Sequence, residues 1–100
     1  MKACTSDNVR EFILQHYRYK LAQMNIELES ISEQFDLLSE GVIDSLGILE
    51  LISAIESVFG ISVDLEELDA EQLTIVGPLS EYIARTARPE KGDLTENDRT

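Results

Sequence analysis

From Leu46 to Phe59 the chain runs "LGILELISAIESVF", with no proline and one internal glycine, Gly47. Asp44 stands just ahead of this run as a side-chain acceptor for a helix start, and Gly60 follows as a stop. Placed at helical spacing with Leu46 at zero, Ile48, Leu51, Ile52, Ile55, Val58 and Phe59 fall between about 120° and 240°. One helix with one apolar stripe must bury that stripe against other elements, and this requirement governs the rest of the fold. Leu46, Leu49, Glu50, Ser53, Glu56 and Ser57 lie on the opposite side. Two leucines thus share an acidic, polar face beside Ser45.

The partners for the stripe are helical too. "TSDN" at residues 5–8 offers Thr5, Ser6 or Asp7 as a cap, and Val9, Phe12, Ile13, His16 and Tyr17 follow as one stripe reaching about Leu21. His16 on that stripe reads as a partly buried packing residue. Residues 22–43 are long for a plain loop, and Ile26, Leu28, Ile31, Phe35, Leu37 and Leu38 imply a connection pinned to the core, with room for a short helix around 27–34. Asp64 and Asp69 stand too close together to cap long helices, so "ISVDLEELDAEQLT" reads as a short turn or 3₁₀ segment. A last helix is expected over about Val76 to Thr86, with Leu79, Tyr82 and Ile83 inward. "GISVDL" is the one strand candidate, too short and isolated to build a sheet. The expectation is an all-α bundle of three main helices and one short helix with a long first connection, a domain over residues 1–86 and a disordered tail over 87–100.

Composition then narrows function. The net charge is −12, and no Lys or Arg occurs from Leu21 to Ala84, a span holding fourteen carboxylates. Such a field repels nucleic acid and anionic lipid and steers basic protein surfaces toward itself. No apolar run reaches the length of a membrane span, and residues 1–20 show no charged-then-apolar leader. One cysteine, Cys4, excludes an internal disulfide and points to a reducing, cytoplasmic setting. One Cys and one His make a protein-built zinc site improbable, and no Gly-centred loop of alternating ligands suggests a calcium hand. No metal site is expected.

Ser45 is the residue these exclusions leave. A serine at a helix start can cap the free amides or carry an anionic ester, which the same amides and the helix dipole favour. Asp44 fills the capping position, so the Ser45 hydroxyl is uncommitted. "GVIDSLGILELISAIESVFGI", residues 41–61, resembles the attachment helix of acyl carrier proteins. The likeness extends through "FDLLSEG" before it and "LDAEQLTIVGPLSEYI" after it, about residues 6–86 in all. The resemblance implies phosphopantetheine joined covalently to Ser45 by a phosphopantetheinyl transferase, with Asp44 and Leu46 flanking the site. The arm's thiol would hold an acyl or aminoacyl group as a thioester. Loading ligases and downstream synthases or transferases with basic surfaces would recognise Leu49, Glu50, Ser53 and Glu56 together with that flank. The protein itself would catalyse nothing and would act as a cytoplasmic monomer. Gly47 and Ser57, where many fatty-acid carriers have acidic residues, and Ser53, where Met is common, point away from housekeeping fatty acid synthesis. "GVIDSLGILELI" is nearer to small stand-alone carriers of dedicated pathways, D-alanyl and other aminoacyl carriers included, and lacks the Gly-Gly-x-Ser of peptidyl carrier domains.

Two other readings compete. An esterase built on Ser45 would need a base, which only His16 could supply, and a G-x-S-x-G elbow, which is missing. An acidic helical adaptor without a prosthetic group shares the fold and charge but leaves Ser45 unmodified.

Overall fold

The structure, a computed structural model, describes residues 3–64 and 73–89. Within them lie helices α1 (Ser6–His16), α2 (Arg18–Gln23), α3 (Ser45–Phe59) and α4 (Val76–Thr86), and strands β1 (Ile61–Ser62) and β2 (Arg88–Pro89). The all-α architecture is as the sequence indicates. Thr5 caps α1, its hydroxyl accepting from the Asn8 amide at 3.1 Å. The first stripe does not run unbroken to Leu21, because the helix kinks at Tyr17 and restarts as α2. Leu14 joins Val9, Ile13 and Leu21 in the core, and sequence spacing had not singled it out.

α3 spans the residues its caps delimit. Asp44 accepts at its start, and Gly60, in the left-handed conformation at φ +66, ends it. Ile48, Leu51, Ile52, Ile55 and Phe59 are buried. Burying five such side chains stabilises by about 1.5–3 kcal/mol each, well beyond the roughly 1 kcal/mol of a cap, so packing holds the helix and the caps fix its ends. Val58 departs from expectation at 40% exposed. It sits at the margin of the stripe, where the flanking elements no longer cover it.

α1 runs antiparallel to both main neighbours. The Cys4 thiol donates to the Ile83 carbonyl at 4.0 Å, so the start of α1 meets the end of α4. Phe12 packs edge-on against Phe59 with ring centroids 6.1 Å apart, and the strands that follow α3 and α4 pair with each other, so α3 and α4 end together at the end of the bundle where α1 starts. The long connection is pinned through buried Ile31 and Leu37, with Ile26, Leu28 and Phe35 packed on the core, and also through Val42 and Ile43, whereas Leu38, expected to join them, is 41% exposed; the helix allowed around 27–34 shrinks to one 3₁₀ turn, Leu28–Ser30. Ser30 explains this locally: its hydroxyl donates to the Glu27 carbonyl at 2.7 Å, closing a turn rather than propagating a helix.

The strand reading needs correction. Ile61–Ser62 pairs antiparallel with Arg88–Pro89, in register Ile61 to Pro89 and Ser62 to Arg88. Isolation in sequence was the ground for dismissing it, and the partner lies beyond α4. The expected boundary after residue 86 falls just before this strand. Of the tail expected over 87–100, Arg88 and Pro89 are therefore ordered in β2, while residues 90–100 and the expected turn around Asp69 lie outside the described residues.

Candidate functional site

The path into Ser45 begins at Asp36. Its carboxylate accepts from the amides of Leu38 and Ser39 at 3.0 and 3.1 Å, a turn that reverses the chain. The Ser39 amide, helped by the Thr74 hydroxyl, holds the Asp36 carboxyl below the usual carboxylate range against the opposing pull of burial. The Val42 amide then bonds the Leu37 carbonyl at 2.9 Å, and Val42 and Ile43 are buried. Two buried residues directly before Asp44 fix where α3 begins.

At that point the chain emerges. Asp44 Oδ1 accepts from the Gly47 amide at 2.7 Å, which is the expected cap. Ser45 is the first residue of α3 and is exposed. Its hydroxyl has no hydrogen-bond partner among the described residues. The Ser45 and Leu46 amides have no intrahelical acceptor, since helix geometry supplies none in the first turn. An exposed, uncommitted hydroxyl therefore stands over amides and a helix dipole that favour an anion. The residues present suit a phosphodiester on Ser45.

The surrounding face follows the angular reading. Leu46 is 64% and Leu49 52% exposed, and Glu50 and Ser53 are exposed beside them. Glu56 differs. It is half-buried, and its carboxylate accepts from the Val63 amide at 2.8 Å, so it also ties α3 to the segment after it. Tyr17, at the kink between α1 and α2, was not expected here. Burial raises its phenol pKa most, and the carboxylates of Glu50 and Asp44 raise it further. It therefore lies within the electrostatic reach of the site. His16 is exposed, contrary to the partial burial expected of it. Its ring stacks on Phe12 at 5.3 Å and meets Tyr17 edge-on at 4.8 Å. No spacing in the sequence announces the proximity of Tyr17 to residues 44 and 50. No cluster of three or more metal-ligating side chains occurs among the described residues, and no helix among them is long and apolar enough to cross a membrane.

Comparison with known proteins gives the family. Residues 21–83 match the family model described as "Phosphopantetheine attachment site". The chain is 30% identical to the acyl carrier protein of Wolinella succinogenes over 77 residues, 77% of this chain and 90% of that protein. It is 46% identical to the D-alanyl carrier protein of Streptococcus equi subsp. zooepidemicus over 46 residues, 44% of this chain and 58% of that protein. The D-alanyl carrier protein of Streptococcus equi subsp. equi matches equally. No solved structure matches significantly. The chain belongs to the acyl carrier protein family, a carrier with a phosphopantetheine attachment domain and that group covalently bound.

Proposed function

We propose that Ser45 is the attachment residue and that the protein carries acyl or aminoacyl groups between enzymes that load, modify and unload them. One observation carries this reading: Asp44 does the capping, which leaves the exposed Ser45 hydroxyl without a structural task. The bound group supplies a flexible arm whose thiol holds its cargo as a thioester. The chain's part is to present the oxygen and to favour the ester's negative charge through the Ser45 and Leu46 amides.

Recognition by others belongs to the face around it. Leu46 and Leu49 offer an apolar contact, and Asp44, Glu50, Ser53 and Glu56 rim it. Basic enzyme surfaces would be drawn by charge and released easily, as a carrier visiting several enzymes requires. The transferase that adds the arm, the ligase that loads it and the synthase or transferase that unloads it all meet this face. The likeness to D-alanyl carriers supports counting aminoacyl groups among the cargoes. The chemistry resides in those enzymes, and this chain contributes none of it.

Coexpression with a phosphopantetheinyl transferase, followed by intact-mass measurement, tests the assignment. The wild-type chain gains the mass of one phosphopantetheine, and Ser45→Ala gains none while keeping its melting temperature. Modification of Ser45→Ala, or an unmodified wild-type chain with several transferases, would overturn it and leave the adaptor reading.

A further inference from the structure

Ser80 lies on the buried face of α4, 2% exposed, and its hydroxyl has no hydrogen-bond partner among the described residues. The usual outlet for such a hydroxyl is the carbonyl four residues back. Thr86 takes it, donating to the Tyr82 carbonyl at 2.7 Å, and Ser80 does not. A second buried atom shares this state. Arg10 on α1 donates from Nη2 to the Ile31 carbonyl at 3.0 Å, while its Nε is buried without an acceptor among the described residues. Both side chains line one cavity of about 20 Å³, where α1 and α4 meet the long connection. We propose that this cavity is a binding site for a single internal water, which accepts from Arg10 Nε and bonds Ser80 Oγ.

Burial sets the demand. A polar group taken out of water without a partner loses its hydration and regains nothing. A guanidinium Nε–H can only donate, whereas a serine hydroxyl both donates and accepts. No direct bond joins the two, so one small group that accepts from the first and pairs with the second satisfies both.

Size and charge choose that group. A cavity needs about 10–15 Å³ to hold a water, so this one admits one and no second. Asp7, Glu33 and Glu81 also line it, and three carboxylates against one guanidinium disfavour an anion. The guanidinium in turn opposes a cation, and no cluster of three or more metal-ligating side chains occurs among the described residues. A neutral molecule that both donates and accepts meets every condition. Its own protons have the lining carboxylates as acceptors, which brings it to the three or so bonds usual for a buried water.

The site sits at a joint of three elements. Arg10 comes from α1, Glu33 from the connection and Ser80 from α4. Two direct bonds already fasten the connection here, from Arg10 to the Ile31 carbonyl and from the Gly77 amide to the Glu33 carbonyl at 2.8 Å. The water adds a link between α1 and α4 across the same joint. It steadies the connection that delivers Ser45, whatever Ser45 carries.

Crystals of the full chain, grown with bromide as the only added halide and diffracting well enough to place single waters, test this directly. One peak is expected within hydrogen-bond distance of both Arg10 Nε and Ser80 Oγ, with no anomalous signal. A bromide anomalous peak there would make it an anion site. A bare site, with Ser80 Oγ turned to the Val76 carbonyl or Arg10 Nε resting on a carboxylate, would remove the water. Either result overturns the proposal. In solution, Ser80→Ala should lower the melting temperature by roughly 4–8 °C. Arg10→Met keeps most of the side-chain stem, and its loss combined with Ser80→Ala should fall short of the sum of the single losses. Strictly additive losses would mean that nothing joins the two side chains, and would also overturn it.

Discussion

α3 and α4 begin in opposite ways. Each must satisfy first-turn amides that the helix itself cannot reach. At α4 the N-cap, Ile75, has no side-chain bond to offer, and the backbone does the work. The Val76 amide donates to the Phe35 carbonyl at 3.0 Å, and the Gly77 amide to the Glu33 carbonyl at 2.8 Å. Pro78, two residues into the helix, has no N–H to satisfy. Val76, Gly77, Leu79 and Ser80 are all buried. At α3 a single carboxylate, Asp44, closes the start locally, and Ser45, Leu46, Leu49 and Glu50 stay in the open. One start is used up in packing and the other is kept free. The two are coupled, because the Leu37 amide bonds the Thr74 carbonyl at 2.8 Å and Asp36 bridges to Ile75. The closed start thereby anchors the chain that delivers Ser45.

Breaking the closed start should have the largest effect on stability. A Cβ on Gly77 would come within 2.7 Å of Glu33 Cβ and 2.8 Å of its carbonyl oxygen. That oxygen is the one the Gly77 amide bonds, so relief by moving it would break the contact. Gly77→Val is expected to cost about 2 kcal/mol as overpacking. At roughly 4–8 °C per kcal/mol for a domain of this size, the melting temperature falls well beyond measurement error. Phosphopantetheine addition well below the new melting point should continue. An unchanged melting temperature would mean that the connection is not clamped to α4.

Breaking the open start should cost less stability and more function. Asp44→Ala removes one exposed cap, about 1 kcal/mol. It also takes a carboxylate from beside Ser45, so modification at low salt should slow relative to Gly77→Val. If Asp44→Ala were the more destabilising of the two, the ranking of a local cap below a buried close approach would be wrong.

The link between the two starts can be sharpened by pH. Asp36 has its carboxyl held low in the fold, chiefly by the Ser39 amide. A carboxyl depressed on folding stabilises above its unfolded value and loses that contribution as pH falls through the folded one. Wild type should therefore be more stable than Asp36→Asn at neutral pH. The gap between their thermal unfolding midpoints should close as pH drops below about 4, the ordinary carboxylate value. A gap that is constant across that range would remove the turn from the account.

The helix starts and stops were legible because capping chemistry is local. Thr5, Asp44 and Gly60 act within three or four residues of themselves, and the α3 stripe follows from a fixed angular step. The free hydroxyl of Ser45 was legible for the same reason: a filled cap leaves the next side chain uncommitted. What stayed hidden depends on residues distant in sequence. Ile61 finds its partner at Pro89, Gly77 admits Glu33, and no pattern along the chain marks either meeting. Val58 was misplaced because periodicity locates a stripe without saying how wide its cover is. Glu56 looked like a surface carboxylate like Glu50 until the Val63 amide claimed one of its oxygens.

Tyr17 shows the same limit at the site itself, and gives the smallest effect and the most local test. Burial, then Glu50, then Asp44 raise its phenol pKa. A neighbouring negative charge disfavours the phenolate, so removing one must lower the pH at which the ring ionises. Glu50→Gln should shift the titration of Tyr17, followed through its ring carbon resonances, toward lower pH, and Asp44→Asn should shift it less. Salt should shrink the Tyr17 shifts without abolishing the part due to burial, since screening acts on charge pairs and not on desolvation. Superimposable Tyr17 curves in wild type and Glu50→Gln would separate the end of α1 from the α3 face.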